Sequence, residues 1–209
     1  MLFRSFTVIQ NANGFDSLII PENISLTLFA AGTDVYPSKY TVHPIPLLKK
    51  ELRFHEGKRN TLVSFAGTVK GFSDYKQIRS KMVALMVEYG WKLYSGNQWE
   101  QVMGDSTFSL CPRGWGPTSF RLFESIQNGS IPIIIWDDTL FLPYKSELEW
   151  TSFCVIIHAD DIETLGDVIR KISPERIKEM QTKLSVVRNK FTYEYVSGYI
   201  HTELNKYKE

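Results

Sequence analysis

Several features are scarce in this sequence, and each scarcity removes a class of protein. Only two of the 209 residues, Cys111 and Cys154, are cysteine, too few for a disulfide framework and without metal-ligand spacing. No apolar run approaches the ~20 residues that cross a bilayer. The opening stretch, MLFRSFTVIQ, lacks an apolar centre of signal-peptide length. A soluble, cytoplasmic chain is therefore expected. A charge excess is lacking too: 24 Lys and Arg against 23 Asp and Glu leave +1, which argues against a general nucleic-acid binder. Neither GxGxxG nor GxxxxGK[ST] occurs, which disfavours a nicotinamide dehydrogenase or a P-loop kinase. His55, His158 and His201 carry no spacing signal, and no Ser–His–Asp or Cys–His arrangement is legible.

What is present is ordinary globular material, 43% hydrophobic and 22% charged, enough for one large domain or one and a half small ones. Residues 5–10 and 24–31 read as strands rich in β-branched and aromatic side chains. VHPIPLL (42–48) has prolines at alternate positions, so it reads as an extended crossing outside any sheet. The basic stretch Lys49 to Arg59 reads as a solvated connection. From residue 61 a regular alternation sets in. TLVSFAG (61–67) is a strand, and 74–90 is a helix with Ile78, Met82, Leu85 and Met86 on one face and Gly90 beyond its end. WKLYSG is a short strand, and NQWEQVMGD a short helix. FSLCP is a strand, 119–128 a helix closed by Gly129, and IPIIIW and FCVIIH are strands. A helix over 161–172 is followed by one long helical pattern from Pro174 to Tyr207. Near-continuous apolar strands alternating with helices predict an α/β fold, a parallel sheet flanked by helices. The expected division is an N-terminal segment, 1–59, and a main lobe, 60–209.

The chemistry concentrates in CPRGWGPTSFR (111–121). In such a sheet, ligands bind beyond the carboxyl ends of strands, where loops enter helix N-termini. Gly114 and Gly116 would let backbone N–H groups approach a ligand. Thr118 or Ser119 would cap the helix, whose first-turn amides make an anion site. Arg113 and Arg121 add charge in the forked geometry that suits phosphate oxygens. Glu124, three residues after Arg121, shares its helix face and would accept bonds from sugar or ribose hydroxyls. The outline is a site for a diphosphate-linked sugar. Trp115, between two glycines, is placed to stack on a base or sugar ring, whereas Trp91, Trp99 and Trp150 read as core.

STFSLCPRGWGPTSFRLFESIQNGSIPIIIWDDTLFLPY resembles the signature of exostosin-type glycosyltransferases: an aromatic-rich strand, Cys-Pro with a following Gly, Ser-x-Arg, Gly-x-Ile-Pro, and an acidic turn before Leu-Pro-Tyr. The flanks NTLVSFAGTVKG and LEWTSFCVII are similar as well, and the likeness covers about residues 60 to 205. The resemblance implies a GT-B/Rossmann-like lobe with a short, incomplete N-terminal lobe. It implies an inverting enzyme that takes a UDP-sugar without a bound metal or other cofactor. Arg113 and Arg121 would then hold the diphosphate, Ser119 would sit beside it, Glu124 would bond donor hydroxyls, and Asp138 would match the family's acidic position.

Inverting transfer needs a base near the acceptor hydroxyl. Asp16, Asp34 and His43 are available, with Asp16 taken first because NGFDS follows a strand end. The partners expected are a nucleotide sugar and a glycan acceptor, with no nucleic acid and no membrane span; a further domain or a second copy would complete the cleft. Two alternatives stand beside this reading: a GDP-fucose-dependent fucosyltransferase-like enzyme, and a non-catalytic nucleotide-sugar-binding module of a larger transferase.

Overall fold

The computed structural model describes residues 3–10, 24–32, 40–69 and 77–207. Within them the chain forms two parallel sheets. The first contains β1 (Phe3–Ile9), β2 (Ile24–Ala30) and β3 (Tyr40–Pro44), in that order across the sheet. On one face, Ile9, Leu26, Leu28 and Ala30 form a small apolar cluster. On the other, the Phe29 ring stacks on His43 at 4.9 Å. The extended crossing expected at 42–48 is thus partly an edge strand: Pro44 sits at the strand end, where its missing N–H costs no ladder bond, and Ile45, Leu47 and Leu48 beyond it are buried.

The second sheet holds β4 (Thr61–Ala66), β5 (Lys92–Tyr94), β6 (Ser106–Pro112), β7 (Ile131–Trp136) and β8 (Val155–His158) in the order β5-β4-β6-β7-β8. Every pairing is parallel, so both faces must be covered. The helices that follow and intervene are α1 (Ile78–Glu88), α2 (Trp99–Gly104), α3 (Phe120–Asn128), α4 (Leu165–Arg170), α5 (Pro174–Val187) and α6 (Tyr193–Asn205). α3 is the most enclosed: all residues from Leu122 to Asn128 are buried. Gly129, at φ 84, closes it in the left-handed conformation, and a side chain there would collide with the Phe54 ring.

Two departures from sequence expectation concern how pieces are joined. The long helix expected from Pro174 to Tyr207 breaks at a 3-10 turn, Arg188–Phe191. There Phe191 drops fully into the core against Phe123, Tyr144 and Trp150, and Thr192 starts a new helix by accepting the Tyr195 amide at 3.2 Å. The reorientation carries α6 back to the first sheet, where Tyr199 meets Phe29 and His43 edge-on.

The stretch expected to be a solvated connection is also more than that. Arg59 donates to the carbonyls of His55, Met103, Gly104, Ser106 and Asn128, at 2.6–3.4 Å. Two of those carbonyls lie at the ends of α2 and one at the end of α3, where a guanidinium complements the negative end of each helix. No helix among the described residues is long and apolar enough to cross a membrane. Both cysteines are free and buried.

Candidate functional site

The strand order places the site. The chain goes from β4 outward to β5, then returns to the other side of β4 to build β6, so the direction of winding reverses between β4 and β6. At such a reversal the loops part, leaving a crevice beyond the carboxyl ends of the strands. The 112–121 loop is the β6 side of that crevice. A residue that escaped the sequence reading spans it: Arg79, in the first turn of α1, donates to the Thr68 carbonyl after β4 and, at 3.1 Å, to the Arg113 carbonyl after β6. Its only signal was an arginine one turn into the helix that follows a buried strand.

The loop itself is held closed. The Gly114 amide donates to the Thr118 carbonyl at 3.0 Å, and a side chain on Gly114 would press on that same carbonyl at 3.1 Å. Gly114 is therefore needed for the loop's tight return, while its N–H is spent inside the loop. Trp115 projects outward, 65% exposed. Gly116 is buried.

Arg113 is anchored. Its Nη1 reaches both oxygens of Asp137, at 2.8 and 3.0 Å, and its Nη2 donates to the Trp115 carbonyl at 3.1 Å. The side chains of this pair are only 11% and 3% exposed. Asp138, the acidic position singled out in the sequence, points outward, 54% exposed and 3.6 Å from the same guanidinium. Of the two aspartates, then, Asp137 does the pinning. The Asp137 carbonyl also meets His158 Nε2 at 3.2 Å, so the ends of β6, β7 and β8 are tied together.

At the α3 terminus the groups converge. Ser119 occupies the cap position in extended conformation, but its side chain makes no cap bond. Its Oγ and Thr118 Oγ1 are buried and find no hydrogen-bond partner among the described residues. Leaving buried hydroxyls unsatisfied costs roughly 1–3 kcal/mol each, which a ligand's acceptor oxygens would relieve.

One turn on, Arg121 Nη1 lies 2.8 Å from Glu124 Oε2. The contact is ionic without a hydrogen bond's alignment, so both atoms keep unused bonding capacity. Burial pushes the Glu124 carboxyl above its ordinary range; Arg121, Lys49 and Lys50 pull it part of the way back, and Glu100 adds to the rise. A carboxyl with a raised native pKa gives full stability only below its ordinary value and loses it as pH rises. Glu124→Gln is therefore expected to melt higher than the parent at pH 7. The gap should close below the ordinary 4.5, as thermal melts at the two pH values would record.

Cys111 packs under the same helix, near the Arg121 carbonyl and Ser125 hydroxyl. Burial pushes its thiol up to about 12, the state of an inert side chain. Of the sites considered for a base, Asp16 and Asp34 lie outside the described residues. His43 is packed in the seam between the sheets, 3.3 Å from the Tyr199 hydroxyl and 3.8 Å from Glu203. Among the described residues, no cluster of three or more His, Cys, Asp or Glu side chains is placed to hold a metal ion.

Two parallel-sheet units joined by a returning C-terminal helix, with a glycine loop and helix terminus at the switch point, define a GT-B-like fold. Two solved structures share it. The pneumococcal O-GlcNAc transferase GtfA in complex with UDP and GlcNAc superposes with TM-score 0.55 at 11% identity, over 90% of this chain and 46% of that one. TarM gives TM-score 0.53 at 10% identity, over 88% and 43%.

The particular family follows from sequence: residues 23–172 match the Exostosin GT47 domain, and the chain belongs to that family. Among curated relatives, "Probable glucuronosyltransferase GUT1" of Oryza sativa subsp. japonica is 37% identical over 83 residues, 40% of this chain and 20% of the relative. The "Exostosin-1 homolog" of Caenorhabditis elegans is 28% identical over 88 residues, 42% and 23%. The chain thus spans about a fifth of the length of the curated relatives it matches.

Proposed function

We propose that this chain binds a UDP-sugar at the α3 terminus and belongs to a glycosyltransferase that moves the sugar to a glycan hydroxyl with inversion, without a metal cofactor. The observation that carries the reading is the group at 118–124: two buried hydroxyls with no partner among the described residues, beside an arginine and a carboxylate whose hydrogen-bonding capacity is not fully used there. All of these stand at the positive end of a nine-residue helix. That set matches a diphosphate bearing a polyol, with acceptor oxygens for the amides, hydroxyls and guanidinium, and donor hydroxyls for the carboxylate.

In the reading, the Arg121 guanidinium and the helix terminus stabilise the diphosphate as it departs, an electrostatic contribution preorganised before the bond breaks. Glu124 orients the donor through its hydroxyls, and Trp115 lies along the ligand's open side. Arg113 acts from behind, keeping the loop in place through Asp137, and Asp138 stands at the rim. Residues 60–209 form the donor lobe and 1–59 part of the acceptor side, with Asp16 as the proposed base. A further domain or a second copy completes the cleft.

A calorimetric series tests this directly. UDP should bind at least about tenfold more tightly than UMP, since each pair of charge-assisted bonds exceeds the ~1.4 kcal/mol that separates decades of affinity, and uridine alone should bind weakest. Equal affinities for uridine and UDP would remove the diphosphate site. Tighter binding of GDP than of UDP would transfer the reading to a GDP-sugar donor. Binding without transfer across an acceptor panel would favour a non-catalytic module.

A further inference from the structure

The structure assigns a positioning role to Trp99: its indole face holds the Arg121 guanidinium in the orientation that addresses the diphosphate. The inference rests on the donor reading above and extends it to a residue outside the 111–121 loop. Trp99 opens α2 and is half-buried, yet a fully apolar environment is not what it meets. The Arg121 Cζ lies 4.3 Å from the centroid of its ring, and Lys50 Nζ lies 5.0 Å from the same ring. Lys50 is in turn ion-paired to Glu100, the neighbour of Trp99 on α2. One indole thus takes two cations, and the next residue ties down the second of them.

The geometry suits an arginine in particular. A guanidinium can lie against a ring with its face while its edge N–H groups remain directed outward, an arrangement an ammonium cannot reproduce. Arg121 is flanked on one side by Glu124 at 2.8 Å and on another by the indole. The ring contact uses none of its hydrogen-bonding capacity, which is left for a ligand. The ring also restricts a side chain that would otherwise lose several rotamers on binding, and such preorganisation adds to affinity without adding a ligand contact. Trp99 touches the ligand through Arg121, so it is a positioning residue and not a catalytic one.

The test is a double-mutant cycle read by UDP calorimetry. Trp99→Ala should weaken UDP binding about fivefold to thirtyfold, the range a partly desolvated cation–π contact supplies. Trp99→Phe, which keeps a π face, should stay within about threefold of the parent. In an Arg121→Ala background, Trp99→Ala should cause no further loss, because the indole then has nothing to orient. Trp99→Leu, apolar and bulky without a π face, carries the Ala expectation and serves if the Ala variant does not fold. The Arg121 Nε–Hε resonance should be sharp in the parent and broadened in Trp99→Leu.

Parent-like affinity in a folded Trp99→Ala or Trp99→Leu protein would overturn the assignment. So would an equal loss in both Arg121 backgrounds, which would mark a purely structural residue. If Arg121→Ala itself leaves UDP affinity unchanged, the donor reading falls and takes this inference with it. If Arg121→Ala weakens binding and Trp99→Ala does not, only the positioning role falls.

Discussion

Replacing Asp137 with Ala should lower the melting temperature by roughly 10 °C or more and weaken UDP binding in the protein that remains folded. The reasoning starts from burial: Asp137 has 3% of its side chain exposed and Arg113 11%. Removing the carboxylate takes away the buried counter-charge and leaves the guanidinium to the Trp115 carbonyl and to the solvent-exposed Asp138 at 3.6 Å, which compensates it only in part. Breaking a buried pair by deleting one partner costs about 3–5 kcal/mol, more than the pair itself contributes, because the surviving charge stays in the interior without its buried partner. For a chain of this size each kcal/mol moves the transition by about 2–4 °C.

Loss of function should accompany the loss of stability, since Arg113 fixes the loop whose far end delivers Ser119 and Arg121. Asp137→Asn, which keeps an acceptor oxygen without the charge, should fall between parent and Ala. A double variant, Arg113→Met with Asp137→Leu, should recover much of the lost stability by removing both charges, without recovering the loop's orientation. A melting temperature within 2 °C of the parent for Asp137→Ala, about the shift of a sub-kcal/mol effect, would show that the pair holds nothing in place.

Much of this site was legible because it is built locally. β6, the loop, α3 and β7 are consecutive in sequence, so apolar runs, glycines and a helix-period pattern sufficed to place Arg121 and Glu124 on one face and Gly129 at the helix end. Partnerships across the fold were not legible. Asp137 and Asp138 are adjacent and chemically identical; only strand pairing, which sets Pro112 beside Ile135, decides that the first turns inward to Arg113. Arg79 and Trp99 belong to other crossovers, and nothing in their own neighbourhoods announces that strand order β5-β4-β6 brings Arg79 to the start of the 112–121 loop and Trp99 to Arg121 on α3. The break at 188–192 escaped for the same reason: no Gly or Pro marks it, and the burial of Phe191 against the rings of Phe123, Tyr144 and Trp150 overrides a continuous helical pattern. In hindsight Thr192, a good cap residue within a helical run, was the one local sign. Asp16, chosen as base from a strand-end loop, and Asp34 lie outside the described residues, so the acceptor side of the reading is carried by sequence alone.

Arg121→Ala should reduce UDP affinity by about 10–100-fold, the loss expected when charge-assisted hydrogen bonds worth roughly 1.5–3 kcal/mol are deleted. The fold should survive, because Arg121 keeps 20% of its side chain exposed and the α3 backbone does not depend on its charge. Its deletion does leave Glu124 with one cation fewer, and since burial already raises that carboxyl, the variant should become more stable as pH falls, steeper in this respect than the parent. Two controls separate a designed anion site from general attraction. Arg121→Lys retains the charge but neither the fork nor the stacking on Trp99, so it should recover only a minor part of the affinity. Added salt should weaken UDP binding in the parent far less than a diffuse basic surface would allow, because a site held at a helix terminus is only partly open to screening. Full recovery by Lys, or an affinity that collapses between about 0.1 and 1 M salt, where the screening length shrinks from ~10 to ~3 Å, would mean that Arg121 contributes charge alone and that the arrangement around it was not made for a phosphate's geometry.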